Sequence, residues 1–182
     1  MALTYTPQTD TSHKLPDFTL KTVEGKNWSS QTIKLAPAKV IVFMCNHCPY
    51  VKAIESRLIK LADYCQTNGV TFVGICSNDS KDYPEDEPKE LLKTWREGKY
   101  NFIYLIDIDQ TVAKTFGAVC TPDFFVYDKS NSLVYRGRLD DSWRDESKVT
   151  REELKEAIDA ILRDIPLSRE VSPSMGCSIK WK

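Results

Sequence analysis

The run Cys45-Asn46-His47-Cys48 follows directly on the apolar segment Val40–Met44. Two thiols one helical turn apart can close a disulfide and reopen it, and little other chemistry needs that spacing. Pro49 and an amphipathic run come next, so the pair stands where a strand gives way to a helix. A helix N-terminus carries partial positive charge and free N–H groups, which stabilise a thiolate, the reactive form of cysteine. His47, between the two thiols, is a further group able to stabilise a thiolate at Cys45. The other cysteines, Cys65, Cys76, Cys120 and Cys177, are scattered.

The elements that must hold this pair are legible from periodicity. Leu15 to Leu20 alternates loosely and is expected to form an early strand, with Glu24-Gly25 as its turn. Val40–Met44 is continuous and apolar, as a central strand covered on both faces would be. Val51, Ile54, Leu58, Leu61, Ala62 and Cys65 mark one face of a helix that ends at Asn68-Gly69. Val70–Cys76 reads as a second strand. Ser77–Glu87 reads as a polar loop, and Pro88 opens a helix that Gly98 stops. Phe102–Ile106 is a third strand. Asp109 is expected to cap a short helix closed by Gly117. Phe124–Tyr127 and Leu133–Tyr135 form a hairpin. Thr150 and Glu153 have the spacing of a capping box for a last helix, which ends before Pro166. Strands alternating with helices imply an α/β fold: a mixed sheet with helices on both faces, its first three strands mostly parallel. The expected division is one domain over 1–166, preceded by an N-terminal extension, and a tail over 167–182 that carries Cys177.

Composition narrows the function classes. The 182 residues are enough for one domain with a full core, and 41% hydrophobic with 28% charged residues is an ordinary soluble balance. A formal net charge of −1 gives no long-range attraction to nucleic acid or to an anionic membrane. The polar start from Met1 to Lys14 lacks the apolar centre of a signal peptide, so a cytoplasmic location is expected. Stable disulfides are rare there, which fits a reversible pair better than a disulfide framework.

With Thr121-Pro122 ahead of a hairpin, and a helix and strand inserted between Ser77 and Asp107, the chain resembles the thioredoxin superfamily. It is most similar to the peroxiredoxin-like (AhpC/TSA-like, redoxin) branch and to an uncharacterised group of that branch with a Cys-x-x-Cys motif. The resemblance runs from about Leu15 to Asp164. It implies a thioredoxin-like fold with Pro122 in cis beside the dithiol. It also implies that Cys45 is an exposed nucleophile, that the deeper Cys48 resolves the mixed disulfide, and that the Thr121 backbone pairs with a substrate strand. His47 occupies the place of the histidine in protein disulfide isomerase. Because stabilising the reduced form makes a disulfide a better oxidant, a couple more oxidising than that of thioredoxin is expected.

The chain departs from both parent patterns. Lys39 stands where thioredoxins carry a buried aspartate, which leaves the proton acceptor unassigned and Lys39 readable as a surface residue at the start of a strand. The peroxiredoxin Pro-x-x-x-Thr/Ser-x-x-Cys fits neither Cys45 nor Cys48, although Cys48-Pro49 echoes its last step.

Other groups admit two readings. Cys120 is either a third redox partner, being two residues from Pro122, or a small core filler. Cys177 lies in a tail with Gly176 and Trp181, and either docks to resolve or shield a disulfide at Cys45 or frays. Cys65 and Cys76 are expected to pack in the core. The acidic run Asp82–Glu87 reads as a hydrated loop rather than a metal site, and Asp140, Asp141, Trp143 and Arg144 as a surface loop.

The leading expectation is a thiol-disulfide oxidoreductase working through Cys45 and Cys48. Its substrates would be disulfide-containing proteins or small thiols, and its electrons would come from an external thiol reductant. No Gly-rich nucleotide fingerprint is present, so no cofactor is expected. A thiol peroxidase is the alternative. A third reading, copper or zinc delivery through Cys45, Cys48, His47 or Cys177, lacks a well-placed second histidine, His13 being the only other. A monomer or a homodimer fits equally, with no nucleic-acid or membrane partner and no metal.

Overall fold

The structure, a computed structural model, describes residues 3–7, 13–167 and 170–182. In chain order its strands and helices are β1 (Leu3–Tyr5), β2 (Thr19–Thr22), β3 (Asn27–Ser29), β4 (Lys39–Phe43), α1 (Pro49–Thr67), β5 (Thr71–Cys76), α2 (Pro88–Glu97), β6 (Ile103–Ile106), α3 (Thr111–Phe116), β7 (Cys120–Thr121), β8 (Asp123–Tyr127), β9 (Leu133–Gly137), α4 (Glu153–Leu162) and β10 (Met175–Ser178). One mixed sheet has the order β3-β2-β6-β5-β4-β8-β9, and a smaller one has the order β1-β10-β7. Strands β4, β5 and β6 run parallel, because helical crossovers return the chain to the same end. The tight hairpin makes β8 and β9 antiparallel.

Central β4 explains its own apolar run. Val40 and Val42 face a core shared with α1, α2 and α4, whereas Ile41 and Phe43 face a second core closed by α3. Alternate side chains point to opposite faces, so a strand covered on both must be apolar throughout. Each fully buried Val or Ile adds about 1.5–3 kcal/mol. Just past β4 the buried Met44 still bonds the Ile75 carbonyl through its N–H at 2.9 Å, and Cys45 follows at this C-terminal edge. Helix α1 is stopped where Gly69 turns the chain with φ +70°, a conformation that glycine adopts without cost.

Several expectations are corrected. The early strand is shorter and later, at Thr19–Thr22, and pairs with β3 through a turn at Gly25. Gln110, not Asp109, is the N-cap of α3, although the Asp109 carboxylate accepts from Thr111 N. The capping box does not form. Thr150 Oγ1 bonds Asp141 instead, and Glu153 is drawn to Arg138 and Arg151. Lys39 is fully buried, its Nζ donating to the Asp128 carbonyl at 2.8 Å, and burial lowers its pKa. The tail is a strand, β10, between β1 and β7. Among the described residues no helix is long and apolar enough to cross a membrane.

Candidate active site

Cys48 is the N-cap of α1, with Pro49 at the first helical position, where the missing N–H costs nothing. The two thiols influence each other's charge. Both also meet Thr121. Cys45 Sγ is 3.4 Å from its hydroxyl, and Cys48 Sγ, as a thiol, donates to its carbonyl at 3.1 Å. The Thr121–Pro122 peptide bond is cis. Cys45 is only 1% exposed and Cys48 is fully buried, so the expected exposed nucleophile is in fact covered.

The two thiols titrate as a pair, and the structure separates them opposite to expectation. The neighbouring Cys45 thiol pulls Cys48 well below the ordinary thiol value. Thr121 and the N–H groups of Val51 and Cys177 add to that pull, against the burial that opposes it. Burial pushes Cys45 up, helped by the neighbouring Cys48 and by the negative charge of Asp86. When the pair loses a proton, Cys48 carries the charge, at the helix N-terminus, where donors converge, and it then no longer donates to the Thr121 carbonyl.

The Asp86 carboxylate comes from the segment read as a hydrated acidic loop. That segment instead forms a 3-10 turn, Pro84–Asp86, which buries Asp86 to 3% exposure. Oδ1 of Asp86 accepts from the backbone N–H of Asn46 at 2.8 Å and of His47 at 3.2 Å. Oδ2 accepts from His47 Nδ1 at 2.5 Å and from Asn78 Nδ2 at 2.9 Å. Burial alone would raise the Asp86 pKa, but these donors outweigh it and the carboxyl stays ionised. Tyr83 stacks on the imidazole with ring centroids 4.3 Å apart. His47 Nδ1 lies 3.6 Å from Cys45 Sγ, so the imidazole expected to serve the thiolate alone is shared with a carboxylate. Asp86, Asn78 and Tyr83 carried no sequence signal for this site, because Asp86 and Tyr83 reach His47 only through the fold, Asp86 across 39 residues of chain, and Asn78 reaches it only through Asp86.

The remaining candidates separate. Cys120 is buried and its Sγ faces the Pro122 carbonyl at 3.6 Å; burial pushes its pKa far up, as expected of a packing thiol. Cys65 and Cys76 are buried core residues, both raised by burial. Cys177 is buried beside Cys48 rather than Cys45, and its strand pairs with Thr121. The Thr121 edge, expected to receive a substrate strand, is therefore already occupied. His13 lies by β9 at the other end of the sheet, its carbonyl bonded to Leu133 N. The loop at 140–144 is partly buried: Arg57 pairs with Asp140 and donates to the Ser142 and Trp143 carbonyls, and Trp143 packs on Tyr50.

The comparisons were made against this geometry. The model of the AhpC/TSA family matches residues 11–136. The chain belongs to that family. No protein with a curated description matches it. An uncharacterized conserved protein from Geobacillus kaustophilus is 41% identical with a TM-score of 0.94, over 100% of this chain and 97% of that one. A hypothetical protein from Sinorhizobium meliloti 1021 is 35% identical with a TM-score of 0.93, over 98% of each chain. A secreted Mycobacterium tuberculosis disulfide oxidoreductase homologous to E. coli DsbE is 20% identical with a TM-score of 0.61, over 79% of this chain and 95% of that one. The fold is thioredoxin-like, and the chain is a redoxin-type member of the thioredoxin superfamily.

Membership in the AhpC/TSA family, with disulfide oxidoreductases among the structural neighbours, supports thiol redox activity. In this member a cavity of about 410 Å³ opens beside the dithiol, lined by Cys45, Asn46, Lys52, Glu55, Glu85 and Tyr100 among others. Cys45, and not Cys48, faces it. Cys45, His47 and Asp86 also bring a sulfur, a nitrogen and an oxygen within 4.8 Å of one another. Both Asp86 oxygens are already engaged by N–H donors, so a metal there would have to displace hydrogen bonds that hold the loop.

Proposed function

We propose that this protein is a thiol-disulfide oxidoreductase that exchanges disulfides through Cys45 and Cys48. The observation that carries the reading is the convergence of the two sulfurs on Thr121 at the start of α1, with Cys45 facing a cavity. Cys45 passes its proton to the neighbouring Cys48 thiolate and attacks one sulfur of a substrate disulfide. The substrate bond breaks and its second sulfur leaves as a thiolate, which takes up the proton that Cys48 received. The Cys48 thiolate then attacks Cys45, expelling the remaining substrate thiolate, which takes a proton from water. The dithiol is oxidised and the substrate disulfide is reduced to two thiols. The Cys48 thiolate is the proton acceptor that Lys39 cannot provide. An external thiol resets the pair with no bound cofactor, in the cytoplasm.

Equilibration of the purified protein across glutathione redox buffers, followed by alkylation and mass mapping, tests this reading. A reversible Cys45–Cys48 disulfide with a defined midpoint is expected. Its absence at every potential would refute the proposal.

A second reading, a thiol peroxidase, has two observations in its favour: the AhpC/TSA match, and the strand β10 that covers the Thr121 edge and leaves only the cavity beside Cys45. A small peroxide would oxidise one thiolate to a sulfenic acid, releasing water or alcohol. The second thiol would then close the disulfide, releasing water. Peroxide consumption at rates far above that of free cysteine would favour this reading over the first.

A further inference from the structure

The C-terminal strand is built to lie against the dithiol. In β10, Cys177 pairs with Thr121 and Ser178 with Cys120, antiparallel. A β-carbon on Gly176 would stand 2.0 Å from the Thr121 carbonyl oxygen, so only glycine lets the strand seat this closely on the Thr121-Pro122 step. The strand is tied at both ends. Ser174 Oγ donates to the Gly137 carbonyl at 2.7 Å, Lys180 N donates to Asn78 Oδ1 at 2.9 Å, and the Lys180 carbonyl accepts from Gln110 Nε2 at 2.7 Å. Asn78 is the residue that also donates to Asp86, so one side chain braces both the strand and the acid of the site.

This seating brings three thiols together. Cys48 Sγ lies 3.1 Å from the Thr121 carbonyl oxygen, Cys45 Sγ lies 3.4 Å from the Thr121 hydroxyl, and Cys177 is the strand partner of Thr121, so all three thiols gather on one residue. Cys177 is 2% exposed. Cys48 therefore has a second thiol within its surroundings besides Cys45, and the charge of Cys48 is felt by both.

We infer that Cys177 is a third redox-active thiol that exchanges with Cys48, so that β10 acts as an internal substrate of the dithiol. The inference rests on the oxidoreductase reading, because it begins from a Cys45–Cys48 disulfide. The Cys177 thiolate attacks Cys48 Sγ, the Cys45–Cys48 bond breaks and the Cys48–Cys177 bond forms. Cys45 leaves as a thiolate and takes up the proton that Cys177 gave up. One disulfide replaces another, so nothing is oxidised or reduced overall and no further reagent is needed. Cys45 returns as a thiol facing the cavity while β10 becomes covalently fixed across Thr121. Burial, then the neighbouring Cys48, raises the Cys177 pKa to about 12, so at rest Cys177 keeps its proton and the exchange waits for the Cys45–Cys48 disulfide to form.

Disulfide mapping of the full chain tests the exchange. Wild type, Cys45→Ser and Cys177→Ser are each equilibrated in graded mixtures of reduced and oxidised glutathione, alkylated, digested and analysed by mass. Wild type is expected to give both Cys45–Cys48 and Cys48–Cys177 peptides. Cys45→Ser should give Cys48–Cys177 alone, and Cys177→Ser should give Cys45–Cys48 alone. If wild type shows Cys45–Cys48 but no Cys48–Cys177, and Cys48 and Cys177 stay alkylatable in Cys45→Ser, the exchange is overturned and the dithiol reading stands. If neither wild type nor Cys177→Ser forms Cys45–Cys48, the dithiol reading fails and the exchange falls with it. The wild-type map decides the matter on its own should a variant not fold.

Discussion

Nδ1 of His47 lies 2.5 Å from Oδ2 of Asp86, across 39 residues of chain, and the same nitrogen lies 3.6 Å from Cys45 Sγ. The thiol and the carboxylate therefore act on one imidazole. Asp86 raises the Cys45 pKa, and a less stable thiolate means a less stable reduced form. Replacing Asp86 by Asn removes a negative charge beside the dithiol, which favours its ionised reduced form and should make the couple more oxidising. Replacing His47 by Ala leaves the carboxylate charge less compensated beside Cys45, and should make the couple more reducing. Glutathione equilibria of the two variants check this. Shifts of the same sign would show that the pair does not set the potential.

The depressed Cys48 pKa predicts a thiolate that persists in acid. Reduced protein should keep its ultraviolet thiolate absorbance far below the ordinary thiol pKa of about 8.5, and Cys48→Ala should lose it. The sign for stability follows. A depressed folded pKa stabilises fully above the unfolded thiol value, and that stabilisation fades as pH falls through the folded value. Reduced wild type should therefore lose its advantage over Cys48→Ala as pH drops below about 8.5. Urea unfolding at stepped pH reads the slope, and a constant difference between the two would contradict the assignment.

Gly176 tolerates no side chain, because the nearest atom is the Thr121 backbone and cannot rotate away. Gly176→Ala should unseat β10 and cost about 1–3 kcal/mol. Limited proteolysis should then cut the chain near Val171–Met175, where wild type resists.

Arg57 and Asp140 form a buried ion pair that also anchors the loop carrying Trp143. Burial raises the Asp140 pKa even with Arg57 in place. Arg57→Leu alone strands that carboxyl and should cost about 3–5 kcal/mol, whereas Arg57→Leu with Asp140→Leu should cost less. Chemical unfolding of the three proteins gives the comparison. A double variant weaker than the single one would mean that the loop contacts, and not the unpaired charge, dominate.

What the sequence determined by itself was local. The apolar continuity of Val40–Phe43, the 3–4 spacing of Val51 to Cys65 and the glycine at 69 are signals confined to a few residues, and the strand–helix junction that holds Cys45 and Cys48 follows from them. The alternation of these elements was enough to read a mixed sheet with helices on both faces. Charge and polarity were misleading wherever a long-range partner existed. Asp86 looked like one acid among several, Lys39 like a surface lysine, and Thr150 and Glu153 like a cap. Each is decided by a partner elsewhere in the chain: His47, the Asp128 carbonyl, Asp141, and Arg138 with Arg151. The same holds for Cys177. Nothing in Met175–Ser178 says which strand it will join, because pairing is fixed by the edge that the rest of the fold leaves open. Only the tertiary structure set that strand on Thr121, and with it the third thiol beside Cys48.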